Sequence, residues 1–172
     1  MYTRCLFNSI CFSFPFDAPS TVARCFCRQL DPFNQATDDA IWHALRQAHL
    51  LEFVAGLEGQ LQHLIAEGGQ NMSQGQRQQV ALARAILRHP KIFLMDEGTS
   101  SVDNVTDQAI QTAIRESFRD ATTVTIAHRI DTILDSDRVL VMNTGEVAEF
   151  DTPTVLLGNP NSMFSALAAK AS

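Results

Sequence analysis

Residues 91–103 read KIFLMDEGTSSVD. Residues 92–95 are apolar without polar alternation, which predicts a strand of a parallel sheet that is covered on both faces. Two adjacent acids, Asp96 and Glu97, end this strand. One carboxylate in such a place can hold Mg²⁺ through water, and its neighbour can orient a water that attacks a phosphate. The pair alone is weak evidence, because a solvated strand end would look the same.

The whole chain has the composition of one globular α/β domain. It has 172 residues, 45% of them hydrophobic and 19% charged, so it can bury a core. Its net charge of −6 argues against a general nucleic-acid or anionic-membrane surface. No apolar run reaches the length of a membrane-spanning helix, so any membrane role must come from a partner or from another segment.

The N-terminal residues 1–29 differ from the rest in composition. All four cysteines, Cys5, Cys11, Cys25 and Cys27, lie here, and their spacing matches neither a zinc site nor a disulfide framework. We expect stray thiols in an atypical segment that is disordered or results from a mis-set start or reading frame. A secretory signal is the less favoured interpretation, because polar residues dilute its apolar part.

Residues 30–172 alternate between helical and strand patterns, from which we predict a mainly parallel sheet with helices. The predicted elements are a helix from Thr37 or Asp38 to Gly56, helices after Ser73 and Asp103, a strand at 122–127, a hairpin around Thr144–Gly145, and a helical tail broken at 158–160. Ligands gather at the carboxyl ends of parallel strands. Asp96, Glu97 and His128 follow two such ends, so we expect them at one edge of the sheet.

Residues 73–76, SQGQ, begin the second predicted helix. The S-x-x-Q spacing predicts a capping box between Ser73 and Gln76. That box does not explain Gly75, since a glycine inside a helix costs about 1 kcal/mol relative to alanine. A glycine is useful where a bulky ligand approaches the backbone, and the bare N–H groups of a helix start attract phosphate. His128 alone is more often a structural imidazole, but at the sheet edge it could donate to a phosphate.

The order of these motifs is more specific than any one of them. MSQGQRQ, IFLMDE, TSSVD and TIAHR resemble, in this order, the second half of an ATP-binding cassette (ABC) ATPase domain. LDPF, EGGQNMSQGQRQ and VAEFDTP resemble the C-terminal ATPase domain of the subfamily C, or multidrug-resistance-associated, exporters. The resemblance spans about residues 30–170 and implies a P-loop NTPase-like ABC ATPase fold.

The resemblance also implies residue roles, cofactors and partners. ATP and Mg²⁺ would be the cofactors, and a second ABC ATPase domain would pair head to tail with this one below transmembrane domains, at the cytosolic face of a membrane. The implied roles are signature contacts to the partner's ATP for Ser73, Gln74, Gly75 and Gln76, magnesium binding through water for Asp96, general base for Glu97, D-loop for Ser101 and Asp103, and switch histidine for His128.

One required motif is absent from the 172 residues. No G-x-x-x-x-G-K-[ST] occurs, and Lys91 and Lys170 are the only lysines. We therefore expect an incomplete fold that lacks the Walker A strand and loop, with strands 92–95 and 123–126 missing a neighbour.

We expect this chain alone to bind ATP poorly and not to hydrolyse it. The parent activity would be ATP hydrolysis coupled to export of organic compounds. Two alternatives are a non-catalytic partner that offers its signature motif to an intact ABC ATPase domain, and a soluble ABC protein of the repair or translation type. The LDPF and EFDTP motifs speak against the second of these.

Overall fold

The computed structural model describes residues 10–13, 24–96, 104–126 and 130–171. The chain forms two compact units, Met1–Ile126 and Ala127–Ser172. The strands of the first unit are β1 (Ile10–Ser13), β2 (Arg24–Cys25), β3 (Leu64–Ile65), β4 (Ile92–Asp96) and β5 (Thr122–Ile126). Its α-helices are α1 (Phe26–Leu30), α2 (Asp38–Gln47), α3 (Leu51–Ala55), α4 (Gln74–Leu87) and α5 (Asn104–Ser117).

A parallel sheet with the order β1-β4-β5 lies in the first unit. The predicted parallel α/β architecture is confirmed. We expected residues 92–95 to lack a neighbouring strand in place of the absent Walker A strand. This expectation is wrong, because Ile10–Ser13 pairs in register with Ile92–Met95. This strand was missed because four residues, ICFS, are too few to show a period. Among the described strands, β5 has β4 as its one neighbour.

The two faces of this sheet differ. Phe93 and Met95 are buried, whereas Ile92 and Leu94 are half-buried. Ile92 and Leu94 pair with Thr122 and Val124, so these side chains share one face with Ile126. Val124 is 50% exposed and Ile126 is 57% exposed. Strand β4 was predicted to be covered on both faces, but it is well covered on one face only. We call the other face, formed by Ile92, Leu94, Val124 and Ile126, the open face.

Helices α2, α4 and α5 pack in series, and their buried residues form one core with Phe93 and Met95 of the sheet. Apolar residues at helical spacing are buried in this core, with Ile41, Ala44 and Leu45 on α2 and Val80 and Ala83 on α4. The α5 helix is followed by Phe118, whose ring stacks on Phe93 with centroids 4.3 Å apart. The main core therefore lies between this helical layer and the face of Phe93.

The helix predicted to run to Gly56 is interrupted. Thr37 caps α2 by accepting the Ala40 N–H at 3.3 Å, as expected, but α2 ends at Gln47. Leu50 N–H donates to Leu45 O at 2.9 Å and His49 N–H to Arg46 O at 3.1 Å. With His49 at φ 55°, these bonds form a Schellman motif. The sequence signal was hidden because histidine replaces the usual glycine there.

The second unit contains α6 (Ile130–Leu134), β6 (Val139–Asn143), β7 (Glu146–Asp151), α7 (Pro153–Gly158) and α8 (Met163–Ala171). Strands β6 and β7 pair antiparallel around Thr144–Gly145, which confirms the predicted hairpin. The tail is broken between α7 and α8, also as predicted. A small core of Val139, Val141, Leu156 and Phe164 holds the unit together.

Glu149 anchors the start of α8. Its carboxylate accepts the Met163 N–H at 2.8 Å, the Phe164 N–H at 3.1 Å and the Ser162 hydroxyl at 2.9 Å. Burial raises the pKa of this carboxyl, but the three hydrogen bonds outweigh it and leave the pKa below the ordinary 4.5. Along the described parts of the chain, no helix is both long and apolar enough to cross a membrane.

Candidate functional site

The start of α4 carries the four consecutive candidate residues of the signature motif. Ser73 is the N-cap, with φ −66° and ψ 163°. Its Oγ accepts the Gln76 N–H at 3.1 Å, and Gln76 Oε1 accepts the Ser73 N–H at 2.8 Å. The predicted capping box is confirmed. We call Ser73–Gln76 the signature tip.

The signature tip faces solvent with hydrogen-bond donors. Ser73 and Gln74 are exposed, and Gly75 is half-buried. The N–H of Gly75, in the first turn, has no acceptor within an α-helix. The Ser73 hydroxyl accepts in the capping box, so its proton is still able to donate. Together with the positive end of the helix dipole, these donors can bind an anion such as a phosphate.

The loop before the signature tip is held in place by hydrogen bonds to β3 and by a buried methionine. Gly68 and Gly69 adopt φ 63° and 68°, which suits glycine. Asn71 bridges the loop to β3, since its Oδ1 accepts the Ala66 N–H at 3.0 Å and its Nδ2 donates to Leu64 O at 3.2 Å. Met72 is buried next to the exposed Ser73. The preceding loop thus fixes where the tip begins.

Sequence reasoning did not assign Asn71 a role. An asparagine close to a glycine pair, as in Gly68-Gly69-Gln70-Asn71, is a turn signal, and it could have indicated this side-chain bridge to the backbone.

Helix α4 is also fixed behind its tip. Arg84 Nε donates to Gln29 O at 2.9 Å, which ties α4 to α1. Gln79 Nε2 donates to His49 O at 3.2 Å, which ties α4 to the turn after α2. Both partners lie 30 or more residues away in the chain, so sequence spacing gave no sign of them. These bonds hold the signature tip as part of a rigid helical layer.

The other predicted site residues follow the ends of β4 and β5. Asp96 is the last residue of β4 and pairs with Ile126, the last of β5, so the two parallel strands end level. Their common edge is where ligands bind in parallel sheets. Glu97, Ser101, Asp103 and His128 lie outside the described residues. The meeting of Glu97 and His128 with Asp96 at this edge, and the D-loop role of Ser101 and Asp103, therefore remain predictions.

Comparisons with known proteins agree on one family. The sequence profile described as ABC transporter matches residues 16–100. Multidrug resistance protein mrp-7 of Caenorhabditis elegans is 51% identical over 142 residues, covering 83% of this chain and 9% of the relative. ATP-binding cassette sub-family C member 2 of Mus musculus is 52% identical over 130 residues, covering 76% of this chain and 8% of the relative.

A solved structure, described as a bacterial Atm1-family ABC exporter with ATP bound, matches the fold. Its TM-score is 0.81 at 27% identity, over 96% of this chain and 28% of that chain. The chain thus spans a small part of each protein that it matches, under a tenth of each of the two relatives. The chain therefore belongs to the ABC transporter family, is similar to members of subfamily C, and has an incomplete P-loop-type ABC ATPase fold.

Proposed function

We propose that this chain is part of the nucleotide-binding domain of an ABC exporter, whose parent activity is ATP hydrolysis coupled to transmembrane export of organic compounds. The observation that carries the proposal is the solvent-facing signature tip, with its capping box and with the Ser73 hydroxyl and the Gly75 N–H at the helix start. The similarity to a multidrug resistance protein and to a solved structure described as an ABC exporter with ATP bound supports it. Transmembrane domains would hold the chain at the cytosolic face of a membrane.

In this proposal the signature tip binds the ATP of a second ATPase domain. The Ser73 hydroxyl and the Gly75 N–H would donate to phosphate oxygens, and Gln76 would keep the serine oriented through the capping box. Gln74 lies on the exposed side of the same turn. All four residues stand at one helix start, where the helix dipole favours negative charge.

The hydrolytic half of the proposed site rests on sequence. Asp96 would hold Mg²⁺ through water, Glu97 would act as general base, and His128 would contact the phosphate being transferred. Ser101 and Asp103 would form the D-loop toward the partner. Mg²⁺ would neutralise charge on the phosphates. Because the 172 residues contain no lysine-bearing phosphate loop, we propose that the chain alone has little affinity for ATP and no turnover.

We propose residues 30–172 as the partial ATPase domain. Residues 1–29 stand apart in composition, but the pairing of Ile10–Ser13 with β4 and the family match from residue 16 support including part of them. The parallel sheet then combines β1, which lies before residue 30, with β4 and β5, which lie after it.

Phosphate release by the purified chain tests the proposed lack of turnover. We expect no Mg²⁺-dependent release above the level of the Glu97→Gln variant, because the phosphate cradle is missing. Turnover by the wild-type chain that Glu97→Gln abolishes would contradict the proposal.

A second candidate is a non-catalytic partner that supplies its signature tip to an intact ABC ATPase domain. The observation that favours it is that residues of this chain alone complete the capping box of the tip, whereas the sequence has no phosphate loop of its own. Co-purification of the separately expressed chain with a transporter, lost on replacing Ser73 by arginine, would distinguish this role from that of a piece of one domain.

A further inference from the structure

Two of the cysteines that sequence analysis treated as stray thiols lie in contact. Cys25 ends β2 and is the N-cap of α1, and Cys27 lies in the first turn of α1. Their Sγ atoms are 2.6 Å apart. Sulfurs sharing a tetrahedral zinc ion sit roughly 3.8 Å apart, since each Zn–S bond is about 2.3 Å. A covalent disulfide holds them at about 2.05 Å. The separation is nearer to that of a disulfide.

The backbone keeps the two thiols side by side. Between them, Phe26 is 1% exposed and meets the Phe53 ring edge-on, with centroids 6.3 Å apart. The Phe26 N–H donates to His63 O at 3.1 Å, and Cys25 pairs with Leu64 of β3. A buried ring and two backbone contacts thus fix the turn from strand to helix, and both sulfurs project from that turn.

The surroundings of the pair do not suit a metal ion. Within the described ranges, no group of three or more His, Cys, Asp or Glu side chains is placed to hold one. Besides the contact between the two sulfurs, Cys27 Sγ donates a hydrogen bond to Gln62 Oε1 at 3.8 Å. An amide oxygen is a poor ligand for the soft metals that thiolates select. Chemistry between the two sulfurs themselves fits this environment better.

The two thiols are reachable, and the pKa of Cys27 is raised. Both cysteines are half-buried, so a small oxidant can reach them. Burial raises the pKa of the Cys27 thiol, and the neighbouring Cys25 sulfur raises it further. Because the thiolate is the nucleophile, a raised pKa slows attack by Cys27 on a free peroxide, whereas the 2.6 Å between the sulfurs favours its attack on an oxidised Cys25.

We propose that Cys25 and Cys27 form a redox-active dithiol that a peroxide oxidises to a disulfide within the chain. The Cys25 thiolate attacks a peroxide oxygen, which leaves Cys25 as a sulfenic acid and releases water. The Cys27 sulfur then attacks the sulfenic sulfur, the S–S bond forms, and a second water leaves. Each sulfur gives up one electron, and the peroxide takes both.

The disulfide would close a ring around the anchor residue Phe26. It would fix the start of α1, which packs on α4 through Gln29 and Arg84. The oxidised chain should therefore show slower hydrogen exchange at Cys27–Leu30 than the reduced chain. This oxidation does not depend on the proposed nucleotide site.

The test uses the full chain with Cys5→Ser and Cys11→Ser, so that two thiols remain. The folded protein is exposed to hydrogen peroxide, alkylated, and analysed by intact mass and peptide mapping. We expect a loss of two hydrogens and of both alkylation sites in the peptide that holds Cys25 and Cys27. The rate should be roughly tenfold or more above that in guanidinium chloride, since folding holds the sulfurs together.

Two single variants separate the steps. With Cys27→Ser, oxidation should stop at a Cys25 sulfenic acid that dimedone captures. With Cys25→Ser, the remaining Cys27 thiol should react with peroxide more slowly than the Cys25 thiol of the Cys27→Ser variant. Three results would overturn the proposal: both thiols staying open to alkylation, equal rates in the folded and unfolded forms of the chain that keeps Cys25 and Cys27, or zinc purifying with the chain and shielding both thiols. The folded-versus-unfolded comparison needs no cysteine variant at this pair, so it stands even if a variant fails to fold.

Discussion

The signature tip and strand β5 are both short, but they differ in where their partners come from. The tip finds its hydrogen-bond partners within its own turn, whereas β5 needs neighbouring elements to pair with and cover it. At the tip, Ser73 and Gln76 satisfy each other's backbone donors within one turn. In β5, all five residues are exposed, and among the described strands only β4 pairs with it. The difference shows that a local motif can form from its own residues, whereas a strand between layers depends on neighbours from elsewhere in the chain.

The largest expected effect contrasts the covered and open faces of the sheet. Phe118→Ala removes a buried ring stacked on Phe93, and we expect the free energy of unfolding to fall by about 3–5 kcal/mol. Val124→Ala on the open face should lower it by less than about 1 kcal/mol. Urea denaturation followed by circular dichroism measures both. Similar losses for the two variants would contradict the proposed difference between the faces.

The open face should also drive association between copies of the chain. Val124→Lys places a charge in the uncharged strand β5, which has β4 as its one neighbour among the described strands. Natural sheets use such charges to prevent pairing between copies. If association buries Val124, losing that burial costs up to about 1.5 kcal/mol and would raise the dissociation constant between copies by roughly tenfold. Sedimentation equilibrium gives this constant. Val155→Lys, at an equally exposed valine of α7, is the matched control and should change it little.

Capping separates the structural role of Ser73 from its proposed ligand role. Ser73→Ala removes the acceptor for the Gln76 N–H and should lower stability by about 1 kcal/mol. Ser73→Asp supplies another capping oxygen and should keep the wild-type stability. Thermal unfolding of the three proteins measures this. If Ser73→Asp lost as much stability as Ser73→Ala, the capping hydrogen bond would not explain the stability of the tip.

In the second unit, Glu149 predicts a pH effect with a definite sign. Its folded pKa lies below the ordinary 4.5, so its carboxylate stabilises the folded unit above that pH and loses this contribution as the pH falls through the folded pKa. Glu149→Gln should flatten the acid limb of the stability curve. Carbon-detected NMR titration of the Glu149 carboxyl checks the direction. A midpoint above 4.5 would contradict it.

The sequence was most informative where one turn contains its own partners. The capping box at Ser73, the cap at Thr37 and the hairpin at Thr144–Gly145 could all be predicted, because donors and acceptors lie within a few residues. Parallel pairing of β4 with β5 also followed from the alternation of helices and strands. The family's motif order added the proposed roles, which local patterns alone could not assign.

What the sequence did not reveal depends on distant or unusual contacts. Strand β1 is recognisable only through its pairing with β4. The break at His49 lacks the usual glycine, and the contact between Cys25 and Cys27 arises from the turn around Phe26. Coverage of β4 on both faces was predicted from its own apolar residues. That pattern shows what a strand can bury, but not whether a neighbour is present to cover it.

The most direct test of the account asks whether the signature tip serves a nucleotide on another domain. The purified chain is titrated into an intact exporter ATPase domain whose own signature serine is replaced by arginine, and Mg²⁺-dependent phosphate release is measured. We expect release to rise with the wild-type chain and not with Ser73→Asp, which keeps the cap but repels phosphate. No rise with the wild-type chain, or an equal rise with Ser73→Asp, would contradict the central claim.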